Sequence, residues 1–522
     1  MKNALSKQSI IKKTIQVGGS TLGSRFLGII REVLMVRYLG AGAGADAFIT
    51  AWKIPNSLRK IFAEGALSAA FIPTLVKLVK DGKKEDANGL MSMAFLVFEG
   101  IVLALCALII VKAPLVVWFM APGFSSEQIA STVPYLRILM PFIFFISSSA
   151  LLAGALQAVN HFFVPAFSPI LLNIVFISSL IICLSNQFPV EYLCFFILCG
   201  GLLQFLWHVV TFLKLHFSFG AITESVKSIF GGVFLKFCNC LVSMSVMEVS
   251  LIIDTQFASL LPAGSVAMLY YANRFMGIPL GVFVTAFSTI LLPHFSRVVT
   301  YAPKRLSFYL LEAAKLIFWV TVPVTFLMIF FAEDIFATIF LSDKFPIEKV
   351  QQASIVLIAF ISGLFFFSLN RILLNLYYAL HNTRVPAVVS VIATLVNVGL
   401  NFLFIHTLKA PGLALATVVS AMIQTGLYAL YLYKYMHFTF YCAEFAKFIG
   451  RYSMQLLITG SLFLITYYTL HKAILIMLPS SVAYFFLHKI GFWLWVGPLC
   501  LVAFAALYSF RKFFRVRVYF LD

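Results

Sequence analysis

Three arginines and a glutamate interrupt an apolar stretch near the start of the chain, GSRFLGIIREVLMVRYLG at residues 23–40. A charge at the centre of a membrane-spanning helix costs about 2.5–3.5 kcal/mol on insertion scales, so it usually faces a cavity or a partner. On a helix, Arg25 and Glu32 lie about 20° apart, and Arg31 lies about 100° from Glu32. These three side chains therefore share one side of the helix. Arg37 lies near the helix end and is expected to reach the membrane interface.

The next apolar stretch is also charged. DAFITAWKIPNSLRKIFAE, at residues 46–64, contains Asp46, Lys53, Arg59, Lys60 and Glu64. Lys60 and Glu64 are four residues apart and can pair along one helix.

Arginines outnumber the acids near them in these apolar stretches. The arginines are Arg25, Arg31, Arg59 and, in the stretch YYANRFMG, Arg274. The acids are Glu32, Asp46 and Glu64. One interpretation is a set of ion pairs that lock helices together. The other is a water-filled cationic cavity, and it predicts a diphosphate ligand because a guanidinium donates two parallel hydrogen bonds to a phosphate.

The composition indicates a polytopic membrane protein. The chain has 522 residues, of which 62% are hydrophobic and 11% charged, with a formal net charge of +19. Soluble domains are about half apolar and about a quarter charged. The sequence contains no HExxH, GxSxG or GxxxxGK[ST] motif, and its histidines are scattered. We therefore expect neither an enzyme nor a nucleic-acid-binding protein.

Stretches of roughly 20 mostly apolar residues predict an all-α fold with fourteen transmembrane helices. The second and eighth candidates, 45–78 and 265–298, are long and contain prolines. Fourteen spans place both termini on one side, where most of the lysines and arginines in the predicted connections lie. The connections of the other side hold only Lys112, Lys344, Lys349, Lys409, Lys472 and Lys489. The positive-inside rule makes both termini cytoplasmic.

Short sequence patches recur about 220 residues apart. AGAGADAF at 41–48 matches LPAGSVAM at 261–268, and LQAVNHFFVPA at 156–166 resembles YALHNTRVPA at 378–387. The near-constant offset predicts two six-helix halves related by a parallel repeat, with a substrate site between them. The predicted domains are 1–230 with helices 1–6, 231–440 with helices 7–12, and 441–522 with two additional helices.

The charged segment SRFLGIIREVLMVRYLGAGAGADAFITAWKIPNSLRKIFAEGALSAAFIPTL resembles the signature of the lipid II flippase family, MurJ, also called MviN. PNSLRKIFAEGALSAAFIP is its most specific run, and YANRFMGIPLGVF extends the resemblance. The family belongs to the multidrug/oligosaccharidyl-lipid/polysaccharide exporter superfamily. The resemblance implies a bacterial inner-membrane protein of peptidoglycan biosynthesis and cell shape.

The implied activity is the movement of lipid II, an undecaprenyl-diphosphate-linked muropeptide, from the cytoplasmic to the outer leaflet by alternating access. The two additional helices would form a groove for its polyprenyl tail. Membrane lipids and cell-wall synthesis enzymes are the implied partners. The family's cavity residues match Arg25, Arg31, Asp46, Arg59 and Arg274. Its neighbouring acids match Glu32 and Glu64.

Some family members hold a sodium ion, the one cofactor that the resemblance implies. The matching positions are Asp254, Asn397, Asn401, Leu413 through its carbonyl, and Thr417. Asn401 stands where a sodium-binding member has aspartate, which removes one negative charge. Polar side chains that bond between helices are the alternative interpretation.

The sequence is also compatible with other functions. A lipid-linked oligosaccharide flippase or a drug:cation antiporter of the same superfamily would share the fold. An antiporter is expected to have an acidic cavity, which the excess of arginine opposes. A non-transporting scaffold would leave the cavity charges dispensable.

Overall fold

The computed structural model describes residues 7–215 and 217–521. Within these ranges, side chains are described at all positions other than 7–19, 21, 22, 64, 65, 69, 242–244, 246 and 247. Within these residues the regular elements are helices, and one isolated antiparallel bridge joins Ser342 and Phe345. The chain forms two compact units, Met1–Ala267 and Met268–Asp522. The prediction of three domains at 1–230, 231–440 and 441–522 stays a prediction.

The first unit contains eleven helices in its described part. They are α1 Lys7–Leu39, α2 Ala43–Arg59, α3 Ser68–Lys80, α4 Lys84–Ala94, α5 Gly100–Val111, α6 Ala113–Met120, α7 Ser126–Leu139, α8 Phe142–Ala158, α9 Phe163–Asn186, α10 Val190–Lys214 and α11 Glu224–Ser259. Two π-helical segments, Lys60–Leu67 and Phe95–Glu99, join α2 to α3 and α4 to α5.

The helices of the second unit follow. They are α12 Ser265–Pro279, which begins in the first unit, α13 Thr285–Tyr301, α14 Leu306–Phe330, α15 Ala332–Phe340, α16 Ile347–Ile361, α17 Leu364–Ala379, α18 Arg384–Met436, α19 Cys442–Met477, α20 Ser480–His488 and α21 Phe492–Phe510. A π-helical segment, Leu280–Val284, joins α12 to α13, and a 3₁₀ turn, Pro303–Arg305, precedes α14. α18 is two helices that meet at Lys409, where the backbone leaves the helical region.

Nine helices of the described residues are long and apolar enough to cross a membrane, or ten if the bent pair α16 and α17 forms one span. Helices satisfy every backbone polar group internally, as lipid requires. α1 and α11 are not among the nine, and each carries several charged residues. The all-helical membrane architecture is confirmed at this level.

Matched backbone irregularities occur at equivalent places in the two units. The π-helical segments Lys60–Leu67 and Leu280–Val284 interrupt the predicted second and eighth spans. Each is accompanied by a hydroxyl that donates to the carbonyl five residues before it, from Ser68 to Ala63 and from Thr285 to Leu280. Such segments arise when an extra residue enters the helical ladder.

The two VPA motifs follow equivalent turns. Asn160 and His381 both adopt a left-handed backbone conformation. The amide of Asn160 donates to the carbonyl of Gln157, and that of His381 donates to the carbonyl of Tyr378. In both turns the following residue donates to the carbonyl five positions earlier. This is the hydrogen-bond pattern of a helix that ends at a left-handed residue.

Candidate functional site

Arg31 lies at a junction between α1 and α9, which pack along each other. One guanidinium nitrogen donates to the amide oxygen of Asn173 at 3.0 Å, and the other donates to Glu32 at 2.7 Å. The guanidinium also stands over the ring of Phe176. Asn173 in turn donates to the carbonyl and hydroxyl of Ser24. The sequence-predicted residues Arg31 and Glu32 are thus brought together, as part of a helix–helix network.

The other predicted arginines lie in different surroundings. Arg25 has an exposed side chain on α1. Arg59 donates twice to the amide oxygen of Asn56 on its own helix, at 3.2 and 3.0 Å. In the second unit, exposed Arg274 donates to the hydroxyl of Tyr270 at 2.9 Å and stacks over its ring. The local bonds of Arg59 and Arg274 orient each guanidinium from within its own helix.

Asp46 is only 2% exposed and accepts two backbone hydrogen bonds at the beginning of α12. The amide of Gly264 donates to one carboxylate oxygen at 2.6 Å, and the amide of Ala267 donates to the other at 2.7 Å. The first amides of a helix lack partners within the helix, and a carboxylate satisfies them and complements the helix dipole. The two related motifs AGAGADAF and LPAGSVAM therefore meet through Asp46.

A polar seam between α2 and α11, with the π-helical segment after α2, is defined by Lys53, Ser57, Lys60, Glu248 and Thr255. Lys53 donates to the hydroxyl of Thr255 and to a backbone carbonyl of α11. Ser57 donates to Glu248 at 2.7 Å, and Lys60 forms an ion pair with the same carboxylate at 3.0 Å. Glu248 is 8% exposed. The seam joins one face of α2 to one face of α11 through buried charge.

Glu248 is absent from the sequence predictions. Those predictions paired Lys60 with Glu64 along one helix, whereas the structure pairs Lys60 with Glu248. The side chain of Glu64 lies outside the described residues. The available signal was an acid within the apolar run SVMEVSLII, which follows the same logic that identified Glu32. Asn173 was also missed, because an asparagine in an apolar helix gives a weaker signal than a charge.

Four of the five candidate sodium positions lie together in the second unit. Asn401 donates to Asn397 at 3.1 Å, Asn397 donates to the hydroxyl of Thr417 at 3.3 Å, and Thr417 donates to the carbonyl of Leu413 at 3.0 Å. The bond between Asn397 and Thr417 joins the two parts of α18 on either side of Lys409. The four positions supply neutral oxygens and no charge, so any negative charge that compensates a cation there would come from outside the cluster. Asp254, the fifth candidate, lies on α11 of the first unit.

The described residues contain no group of three or more histidine, cysteine, aspartate or glutamate side chains arranged to hold a metal ion. A cation at the α18 cluster would be held by the amide, hydroxyl and carbonyl oxygens of that cluster. Such a donor set suits a hard monovalent ion better than a transition metal.

Comparison with known proteins gives one family over most of the chain. The profile of the lipid II flippase MurJ family matches residues 35–505. A probable lipid II flippase MurJ from Haemophilus influenzae is 33% identical over 436 residues, which cover 79% of this chain and 83% of that protein. A lipid II flippase MurJ from Burkholderia cenocepacia is 31% identical, covering 82% of this chain and 84% of that protein.

Solved structures agree with this assignment. A lipid II flippase MurJ in an inward closed conformation superposes with a TM-score of 0.78 at 25% identity, covering 96% of this chain and 99% of that one. An inward-facing multidrug resistance MATE family transporter of the MOP superfamily superposes with a TM-score of 0.68 at 15% identity, covering 77% of this chain and 93% of that one. The second likeness shows the fold alone. The chain is a multi-pass inner-membrane protein, and it belongs to the lipid II flippase MurJ family.

Proposed function

We propose that this protein moves lipid II from the cytoplasmic to the outer leaflet of the inner membrane by alternating access. The match of the family profile to residues 35–505 carries the proposal. The substrate's diphosphate and sugars must cross the membrane, whereas its polyprenyl tail stays in lipid. A transporter of this kind needs a polar path for the head group only, and it performs no bond-making chemistry.

The diphosphate is bound by the arginines of the apolar helices. Arg25 and Arg274 have exposed side chains, and Arg31 and Arg59 are oriented by amide oxygens. A planar guanidinium held in place pays less entropy when it binds a phosphate. Asp46 and Glu32 act as supports: Asp46 binds the beginning of α12, and Glu32 holds Arg31.

The proposed layout is fourteen transmembrane helices in two six-helix halves plus two additional helices, α19 and α21. The matched π-helical segments and the matched turns at Asn160 and His381 support the repeat. Both termini are placed on the cytoplasmic side by the distribution of lysine and arginine. Labelling of single cysteines near each end with an impermeant reagent tests this, and labelling in intact cells would contradict it.

Transport is coupled to a monovalent cation or to the membrane potential in this proposal. Asp254 would supply the charge, and Asn397, Asn401, Thr417 and the Leu413 carbonyl would supply neutral oxygens. A unit charge that crosses the membrane potential gains about 2.3 kcal/mol per 100 mV. If Asp254→Asn flips lipid II at the wild-type rate and keeps its response to ion gradients, this site has no part in coupling. Asn401→Asp adds the missing charge and is expected to tighten sodium binding.

Flipping in proteoliposomes tests the function directly. Purified protein is reconstituted with fluorescent lipid II, and the accessible fraction is followed with a membrane-impermeant quencher. We expect rapid equilibration between leaflets, and complementation of cells depleted of their own flippase. A drug:cation antiporter would instead export cationic dyes and leave lipid II in place. A scaffold would do neither, and either result would overturn the proposal.

A further inference from the structure

Glu99 is an acid inside the membrane-spanning part of the first unit that the proposed transport cycle does not use. It lies at the end of the π-helical segment Phe95–Glu99, within the candidate span Lys84–Val111. Its side chain is 2% exposed. π-helical segments inside helices are frequent at functional sites, because the extra residue redirects a side chain.

The carboxyl of Glu99 faces hydroxyl groups of α8. Ser147 donates to one carboxyl oxygen, Oε1, at 2.8 Å. The other oxygen, Oε2, is buried without a hydrogen-bond partner. The neighbouring hydroxyl of Ser148, whose residue is 0% exposed, lies close enough to interact with the same carboxyl but makes no well-formed hydrogen bond. Glu99, Ser147 and Ser148 thus form one small polar site, in which one carboxyl oxygen and one hydroxyl lack a well-formed hydrogen bond.

The surroundings of Glu99 hold no compensating cation in the described part of the chain. Glu99 forms no ion pair there, and α8 has no charged residue. From α5, the thiol of Cys106 lies close enough to interact with the carboxyl. The charged residues of α4, the other element packed on this segment, are all in its first turn: Lys84, Glu85 and Asp86.

Helix α11 packs on α4, and its aromatic rings cover Phe98 beside Glu99. Its charged groups are directed elsewhere: Glu224 pairs with Lys227, Glu248 pairs with Lys60, Lys236 is exposed, and Asp254 is farther along the helix. A carboxylate with one hydroxyl donor and no cation is costly in such a site, so the neutral acid is favoured.

We propose that Glu99, with Ser147 and Ser148, is a proton-binding site in the membrane interior. A hydroxyl both donates and accepts, so the site satisfies either state. In the neutral acid, the O–H at Oε2 donates to the Ser148 oxygen. When that O–H bond breaks and the proton passes to water, the Ser148 hydroxyl turns and donates to the carboxylate. The proposal concerns proton binding alone and stands apart from lipid II transport.

Infrared difference spectroscopy of the full-length protein in lipid nanodiscs tests this. Spectra recorded across a pH titration report the carbonyl stretch of protonated carboxyl groups. We expect the wild type to lose one buried carboxylic-acid band as pH rises, and we expect Glu99→Gln to lack that band at every pH. Glu127→Gln, at an exposed position on α7, is the matched control and should keep the band.

Ser148→Ala gives a second, milder test because it keeps the acid. Ser148 bonds to both forms in the proposal, but its bond to the carboxylate is charge-assisted and stronger, so its loss disfavours the charged form more and the midpoint of the band should move up by about one pH unit. A band that persists in Glu99→Gln, a Glu99 band that never titrates, or an unchanged midpoint in Ser148→Ala would each overturn the proposal.

Discussion

At the residue scale, Arg31 and Arg25 lie on the same helix but differ in the surroundings of their side chains. Arg31 uses two of its five N–H donors on Asn173 and Glu32, which fix the plane of the guanidinium; the proposed diphosphate would bind to its other donors. Arg25 has an exposed side chain. Loss of Arg31 therefore removes its bonds to Asn173 and Glu32, whereas loss of Arg25 removes an exposed side chain. In the proposed diphosphate site, each loss also removes a phosphate donor.

Arg31→Ala is expected to lower thermal stability and to abolish complementation, while Arg25→Ala abolishes complementation at near-normal stability. A double-mutant cycle of Arg31→Ala with Asn173→Ala should give a coupling energy of about 1 kcal/mol. Thermal unfolding in detergent measures stability, and membrane protein levels are checked by immunoblot. Additive effects in the cycle would show that the Arg31–Asn173 bond contributes nothing. Full complementation by the alanine variants of all four arginines would refute the cationic cavity.

Asp46 is expected to act on stability more than on ligand affinity. Asp46→Ala leaves the amides of Gly264 and Ala267 without their acceptor, at a cost of about 2–4 kcal/mol for two charge-assisted bonds. Asp46→Asn should fall between the alanine variant and the wild type. The measurement is the melting temperature together with lipid II binding by the folded fraction, with exposed Asp81→Ala as control. Tighter lipid II binding in Asp46→Ala would instead mean that the carboxylate repels the diphosphate.

At the element scale, the polar seam fixes α11 to α2 through charges that lipid cannot solvate. Glu248 accepts from both Ser57 and Lys60, so removal of either partner leaves a buried carboxylate less well compensated. Breaking a buried pair costs more than replacing both members by apolar side chains. Substitution of one charged partner in the seam is therefore expected to destabilise the protein more than substitution of both partners by apolar residues.

Lys60→Ala is expected to destabilise the protein by about 1–2 kcal/mol, because it takes a charged donor from the buried carboxylate of Glu248, whereas the double variant Lys60→Met with Glu248→Leu should be close to wild type. The exposed pair Lys227–Glu224 is the matched control, and Lys227→Ala should change stability by less than about 1 kcal/mol. Chemical or thermal unfolding in detergent gives the values. Equal losses for Lys60→Ala and the double variant would mean that side-chain packing, and not charge, stabilises the seam.

The short helix α15, outside the candidate membrane spans, contains a carboxyl sensitive to pH. Burial, and then the charge of Glu333, raise the pKa of Asp334 to about 6, while His488 acts in the opposite sense. The folded state thus holds the proton more tightly than the unfolded chain. Stability from this group is present at low pH and is lost as pH rises from about 4 to about 6.

Asp334→Asn is expected to be more stable than the wild type at pH 7–8, by about 1 kcal/mol after allowance for solvent screening, and equally stable near pH 4. Melting temperatures of both proteins across this pH range check the prediction. Glu333→Gln changes the exposed neighbouring position. Its stability difference from the wild type should vary with pH less than that of Asp334→Asn. A constant difference between wild type and Asp334→Asn at all pH values would exclude titration of Asp334 as the cause.

At the scale of the whole molecule, the last described residues form part of the core of the second unit. Val516 and Val518 are 1% and 0% exposed and pack in a cluster with Trp319, Phe448 and Tyr452. The amide of Tyr519 donates to Glu312 on α14 at 2.8 Å. The segment after α21 thereby connects α14 with α19, and this contact has no local sequence signal.

Val518→Ala is expected to cost about 2 kcal/mol of stability, because it opens a cavity in a closed cluster. Phe513→Ala, at a position that is 81% exposed, is the control and should be close to neutral. Removal of residues 516–522 should lower the melting temperature further, since it also takes away the Tyr519 bond to Glu312. A truncated protein that melts with the wild type would show that this segment does not hold the second unit together.

The sequence by itself determined the membrane class, the helical fold and the family, and it located charged residues that lie within apolar helices. It could do so because both features are local. An apolar stretch gains free energy when it enters the membrane, and a charge within that stretch carries a large free-energy cost there. The proposed repeat likewise was predicted from AGAGADAF and LPAGSVAM alone.

Only the tertiary structure decided which groups meet. The bonds of Asp46 to Gly264 and Ala267, of Glu248 to Lys60, and of Asn173 to Arg31 join residues far apart in the chain. Periodicity places a side chain on a face of its own helix, but it does not specify the neighbouring helix or its register. The roles of these residues follow from packing between helices, which a local pattern does not encode.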